Sequence, residues 1–256
     1  MIRGPVRMIV GLAGFALCWE LVARSGAVPV NLFPTIEQIA VAFAALATSG
    51  ELLAAEYHTL LRAVEGLAIA VALALALGLA SGTSRLLQRA LAPFVDVCRT
   101  LPPPALVPLL IFALGLNERM FMLVIIFAAL WPIYLATVAG LSQAEPIQLA
   151  TARTFGASSW WMIWRVRLPS AMPAIFTGIR VGLGLSLMAT IASEMIAGSN
   201  GIGFLLFDAA FSLRVPEMYA TLFAAGLTGL LLNALVLSLQ APIIGWHILS
   251  TALETA

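Results

Sequence analysis

From Tyr219 to His247 the chain runs without a single Asp, Glu, Lys or Arg, and Leu, Ala, Val and Ile fill most of the positions. A water-soluble helix of that length needs a charged face. A helix in lipid needs none, because it satisfies its own backbone hydrogen bonds and meets only hydrocarbon. The run therefore reads as a membrane span, and the same reading applies wherever about 20 apolar residues follow one another. Composition agrees: 62% of residues are apolar and 10% charged, where soluble domains hold about 45–50% and about 25%.

On that rule the chain is a single all-α polytopic membrane unit over residues 1–256, with spans at 8–23, 60–80, 97–116, 120–141, 174–198 and 219–247, roughly six in all. The first is short but flanked by Arg3, Arg7 and Arg24, whose stems reach the interface. No small-x-small cleavage site follows it, so it reads as a retained helix and not a signal peptide. Pro102, Pro103 and Pro104 predict a kink early in the third. The turn Asn117 to Arg119 is short enough to force the fourth antiparallel to the third. Asn31 to Ser49, with Pro34 and Thr35 leading into Ile36, Ile39, Ala40 and Phe43, predicts an amphipathic helix on the outer surface.

Orientation follows from arginine placement, since cytoplasmic loops retain positive charge. With the N-terminus inside, cytoplasmic segments hold Arg3, Arg7, Arg85, Arg89, Arg153, Arg165 and Arg167, and outer loops hold only Arg24, Arg119 and Arg214. Both termini are therefore expected in the cytoplasm.

Every basic residue is Arg; the chain has no Lys. A phosphate-binding P-loop needs its lysine and a Schiff-base enzyme its amine, so neither chemistry resides here. No cofactor is expected in the chain, and any ATP and Mg must be bound by a partner. The net charge of +1 with scattered arginines excludes nucleic acid as a partner. Cys18 and Cys98 lack metal-ligand spacing with His58 or His247 and read as small buried hydrophobes. Without His-Glu-x-x-His or a carboxylate pair at matched depth, no metal site and no intramembrane enzyme is expected.

The segment 142–173, between the fourth and fifth spans, is the longest cytoplasmic loop and is not a polar linker. It predicts two short helices joined at Gly156, the second capped by Ser158 and ended by Pro169. Trp160, Ile163 and Trp164 share a face of the second. Such a face either lies in the lipid interface or inserts into a partner's groove, and the residues alone leave both open.

The segment reads Ala150-Thr151-Ala152, then Gly156, then Val166-Arg167-Leu168-Pro169. It resembles the cytoplasmic motif of the inner-membrane permeases of binding-protein-dependent ABC importers: Glu-Ala-Ala, three residues, Gly, nine residues, then Ile-x-Leu-Pro. The departures are Ala150 for the motif's Glu and Thr151 for its Ala. Further matching stretches are Leu32-Phe-Pro34-Thr, Arg99-Thr-Leu-Pro102, Trp131-Pro132-Ile, Ala171-Met-Pro173 through Arg180, and Ser193-Glu194-Met195. They cover nearly the whole chain and look closest to the nitrate, sulfonate, taurine and bicarbonate branch.

The resemblance implies a type I importer fold in a bacterial inner membrane. Its implied partners are a second copy of the permease, two ATP-binding cassette subunits and an extracytoplasmic solute-binding protein. It also implies a coupling helix docked on the ATPase, carried by Ala150, Ala152, Arg153, Phe155, Gly156, Trp160, Ile163, Trp164, Val166, Leu168 and Pro169.

Ionisable groups inside spans cost about 2.5–3.5 kcal/mol on insertion scales, so each is a candidate for function. Glu194, with Thr190 and Ser193 beside it, either lines the translocation pathway or bonds to another helix; Asn233 stands under the same alternative. Arg62 with Glu65 and Asp96 with Arg99 are spaced to neutralise each other along a helix face. A proton- or sodium-driven carrier titrating Glu65 or Glu194 is the rival reading, but the inverted repeat usual in such carriers is not visible.

Overall fold

The structure, a computed structural model, describes residues 3–26, 28–29 and 32–254. The chain ends, and Asn31 at the start of the expected outer helix, lie outside the described residues.

Helix α1 (Arg3–Arg24) contains the first expected span. It is tied to the rest at its C-terminal end, where Trp19 Nε1 donates to the Pro34 carbonyl at 3.0 Å and the indole stacks on Phe33. Phe15, Leu17, Cys18 and Leu21 on this helix are exposed, as lipid-facing residues would be; Cys18 is thus not the buried residue expected, whereas Cys98 is. Helix α2 (Ile36–Thr48) matches the expected amphipathic helix, opened by a capping box: Thr35 Oγ1 accepts from Gln38 N–H, and Thr35 N–H donates to Gln38 Oε1.

Helix α3 (Glu51–Thr83) starts earlier than the expected Leu60, because residues 51–59 are mostly strong helix formers that follow the left-handed turn at Gly50. The expected third span is not one helix. Val97 and Cys98 close α4 (Arg85–Cys98), and after a bend of 79° the chain resumes as a 3₁₀ turn (Pro103–Ala105) and α5 (Leu106–Leu114). Pro102, Pro103 and Pro104 together remove three N–H donors, so no helical ladder runs through them.

Helix α6 (Glu118–Ser142) follows, capped by Asn117, then α7 (Pro146–Thr154) and α8 (Ser159–Met162). Pro169 does not end the second loop helix. The chain stays helical from Ser159 to Ala197, passing through a π-helical turn at Ile163–Arg167 into α9 (Leu168–Ala197). Proline crowds the carbonyl four residues back and lacks a donor. The widened turn sets Pro169 in the first turn of α9, where neither defect breaks a bond. The fifth span is therefore the upper part of a 39-residue helix. Helices α10 (Ile202–Phe211) and α11 (Val215–Glu254) complete the chain.

Among the described residues, four helices are long and apolar enough to cross a bilayer: α3, α6, the helix 159–197 and α11. Counting α4 with α5 as one broken span makes five, and α1, which contains the first expected span, is not among these.

Helix α6 lies between α3 and α9, and small residues let the three backbones close together. On α3, Gly66, Ala70, Ala74 and Gly78 recur every fourth residue and are all buried. A methyl group at Gly66 would stand 2.4 Å from Ile125 Cγ2, and one at Gly78 2.6 Å from Thr137 Cγ2. On α9, one at Gly178 would stand 2.5 Å from Ala136 Cβ. Lipid tails remove the hydrophobic drive for helices to associate, so this close contact carries the association. Gly178→Ala is expected to cost about 1–3 kcal/mol, because Ala136 has no flexible end to move aside. A lower melting temperature on thermal size-exclusion chromatography checks it, with the surface change Gly184→Ala, where nothing lies within 4 Å, expected to be neutral.

Candidate functional site

At one end of the 159–197 helix, α7 and α8 form a bracket. Helix α7 closes with a Schellman motif: Gly156 N–H donates to the Arg153 carbonyl at 2.9 Å and Ala157 N–H to that of Ala152 at 3.0 Å, with Gly156 at φ 76°. Ser158 Oγ then accepts from Trp161 N–H at 3.2 Å and starts the long helix. The junction at Gly156 and the Ser158 cap are as the sequence indicates.

Between the two helices lies an open groove of about 800 Å³, walled by Ile147, Thr151, Ala152, Phe155, Trp161 and Val166. Phe155 is 85% and Ile147 77% exposed, far more apolar surface than a helix junction leaves uncovered without a reason. The expected residues divide into groups. Ala152, Phe155, Gly156 and Val166 line the groove, while Ala150 and Arg153 are exposed on α7 outside it. Trp160 and Trp164 pack edge to face at 5.6 Å on the outer side of the long helix, and Ile163, Leu168 and Pro169 are half-buried where it joins α9. Ile147, Thr151 and Trp161 were not anticipated. Ile147, Thr151 and Phe155 recur every fourth residue, a helical signal present in the sequence.

A second cluster sits at the far end of α9. Glu194, fully buried, accepts from Arg62 Nη1 at 2.9 Å, Thr59 Oγ1 at 2.8 Å and Gly203 N–H at 3.1 Å. Arg62 also donates to Glu118 through Nε and Nη2, at 2.8 and 2.6 Å, and to Asn200 Oδ1 at 2.7 Å. One guanidinium thus ties α3, α6, α9 and the 198–201 loop together. The expected Arg62–Glu65 pair does not form; Arg62 faces inward to these partners. Asp96 and Arg99 do pair, at 3.0 Å.

Thr190 and Ser193, expected beside Glu194 on a pathway, are also fully buried, and their hydroxyls donate to backbone carbonyls one turn back. In this arrangement all three are buried within the chain: Glu194 bonds across to α3 and to Gly203, while the Thr190 and Ser193 hydroxyls bond only within α9. Close packing makes the cluster exclusive. A methyl group at Gly201, at φ 98°, would lie 2.3 Å from the Glu194 carboxylate, and one at Gly203 2.1 Å from the Ile191 carbonyl. The remaining pathway candidate, Asn233, accepts through Oδ1 from Arg180 Nε at 2.8 Å.

Residues 68–243 match the family described as the binding-protein-dependent transport system inner membrane component, most of the chain and all of the bracket. The chain belongs to this family. The permease is 35% identical to the nitrate import permease protein NrtB of a Synechocystis species, over 73% of this chain and 68% of that protein. It is 31% identical to the taurine transport system permease protein TauC of Escherichia coli, over 74% and 69%. It is 32% identical to the bicarbonate transport system permease protein CmpB of Synechococcus elongatus, over 93% and 88%. Its fold matches that of the MetNI methionine ABC transporter in inward-facing conformations, with a TM-score of 0.58 at 15% identity, over 72% of this chain and 92% of that one. The permease is therefore a multi-pass inner-membrane subunit of an ABC importer, with the ATPase on a separate subunit.

Proposed function

We propose that two copies of the permease form the pathway for a small anion of the sulfonate, taurine, nitrate or bicarbonate class, and that paired ATPase subunits drive them through the α7–α8 bracket. The carrying observation is the apolar groove of Ile147, Phe155 and Trp161 at the head of a helix that continues unbroken to Ala197. A groove of that kind suits insertion of a partner's apolar side chains. The helix spans roughly 55 Å, so displacement at the bracket is carried to Glu194 along one continuous element that passes the π turn at Ile163–Arg167. Arginine placement supports a cytoplasmic bracket and cytoplasmic termini.

ATP hydrolysis belongs to the partner in this reading, and the permease itself is not catalytic. Solute arrives from a soluble binding protein when these helices open the opposite end, and the permease holds it weakly in both states. Asn233 is assigned to the pathway and Glu194 to holding the bundle, with Thr190 and Ser193 bonded within their own helix.

Reconstitution with the cognate ATPase and binding protein tests this. Hydrolysis is expected to rise when the binding protein is loaded with one of nitrate, bicarbonate, taurine or an aliphatic sulfonate. Uptake by the purified permease alone, or cysteine labelling that puts residues 146–168 outside the cell, overturns it.

A further inference from the structure

We propose that Arg180 and Asn233 form an oxyanion subsite within the membrane-spanning parts of α9 and α11, a deepening that rests on the transport reading above. Arg180 lies 12 residues beyond Leu168 and 17 before Ala197, which places it about 18 Å along α9. Asn233 sits near the middle of α11. Both belong to different helices and still meet at 2.8 Å.

Arginine stays protonated in any protein environment, so a charge at this depth needs a partner. Arg24, Arg62, Arg99 and Arg214 each pair with a carboxylate. Arg180 does not: among the described residues, its one hydrogen bond is the neutral contact to Asn233. Its side chain is also exposed on the surface of this chain. Facing lipid there is costly for a charged side chain, and an aqueous route or an anion removes that cost.

The geometry of the pair selects the ligand. Nε donates, so the asparagine must present Oδ1 to it and turn its Nδ2 amide hydrogens outward. The Nη edge of the guanidinium and the Asn233 amide then offer only donors. That set accepts a planar or tetrahedral oxyanion in a bidentate grip and offers a cation nothing. Approach is open, because Gly184, one turn along the same exposed face, has nothing within 4 Å of where a methyl group would stand. Glu194 is buried 14 residues further up α9, where it is held by Arg62 and does not compete.

The test uses the permease with its ATPase and binding protein in proteoliposomes, following ATP-dependent uptake of labelled nitrate, bicarbonate and taurine. Arg180→Gln is expected to lower uptake of the transported anion about tenfold or more, the loss of one charge-assisted contact. The variant should remain monodisperse and assembled with its ATPase, since the bracket is untouched. Arg180→Lys should retain part of the uptake and alter the ranking of planar against tetrahedral anions. Asn233→Ala should raise KM more than it lowers the maximal rate.

Arg180→Gln transport equal to wild type overturns the subsite and leaves the transport reading standing. Joint loss of uptake, stimulated hydrolysis and monodispersity also overturns it, in favour of a structural arginine. Wild type that moves none of the three anions overturns both, a result read before any variant is made.

Discussion

Arg62→Met is expected to cost about 3–5 kcal/mol, enough to leave little folded permease in the membrane. The methionine removes the one cation in contact with Glu194 among the described residues, and the Glu194 side chain has no exposure at all. Breaking a buried pair from one side leaves the survivor's desolvation uncompensated, and here the survivor also anchors Thr59 and the Gly203 N–H. Removing the outer partner is a different matter. The Glu118 side chain is 64% exposed, so Glu118→Gln should cost no more than about 1 kcal/mol. The double change Arg62→Met with Glu194→Met should recover part of the loss, since a buried pair replaced by apolar groups of similar volume is often tolerated. Thermal size-exclusion chromatography of the three proteins decides the matter. If Arg62→Met melts with wild type, the cluster is not what holds α3, α6, α9 and the 198–201 loop together.

That cluster shows where sequence reasoning stops. Arg62 and Glu65 have ideal spacing for a pair on one helix face, and local spacing is all a single sequence exposes. The partners chosen lie 56 and 132 residues away, brought close because small residues on α3 and α9 let three backbones approach. The approach is written in the four-residue recurrence of Gly66, Ala70, Ala74 and Gly78, but which neighbour fills the gap is not. Long apolar runs, by contrast, located α3, α6, α9 and α11, because lipid imposes one rule on every residue in a span. The prolines behaved according to context. Three in a row broke the third span, whereas Pro169 was absorbed by a π turn that no local pattern announces. In the bracket, Gly156 and Ser158 were legible since a cap and a left-handed turn need particular residue types. Trp161 was missed because reading one face of an isolated helix favours Trp160 and Trp164, and the groove belongs to two helices at once.

Gly156 gives the sharpest test of the bracket, because a methyl group there would touch nothing within 4 Å while the backbone sits at φ 76°. Any effect of substitution is therefore conformational, with no contribution from crowding. Asparagine tolerates the left-handed region and should leave coupling near wild type. Alanine should fall between, since a left-handed residue with a Cβ costs about 1–2 kcal/mol. Proline cannot take that φ and also lacks the N–H that donates to Arg153, so both the turn and one Schellman bond go. Gly156→Pro should then reduce stimulated ATP hydrolysis and uptake about tenfold or more, as a misplaced α7 opens the groove. The protein should still insert and purify as wild type, because α7 is exposed and contributes no buried residue to the bundle. The ordering Gly, Asn, Ala, Pro in coupled hydrolysis, at constant yield, is the expected signature. Full coupling in the proline variant would mean that the ATPase drives the spans through some other surface.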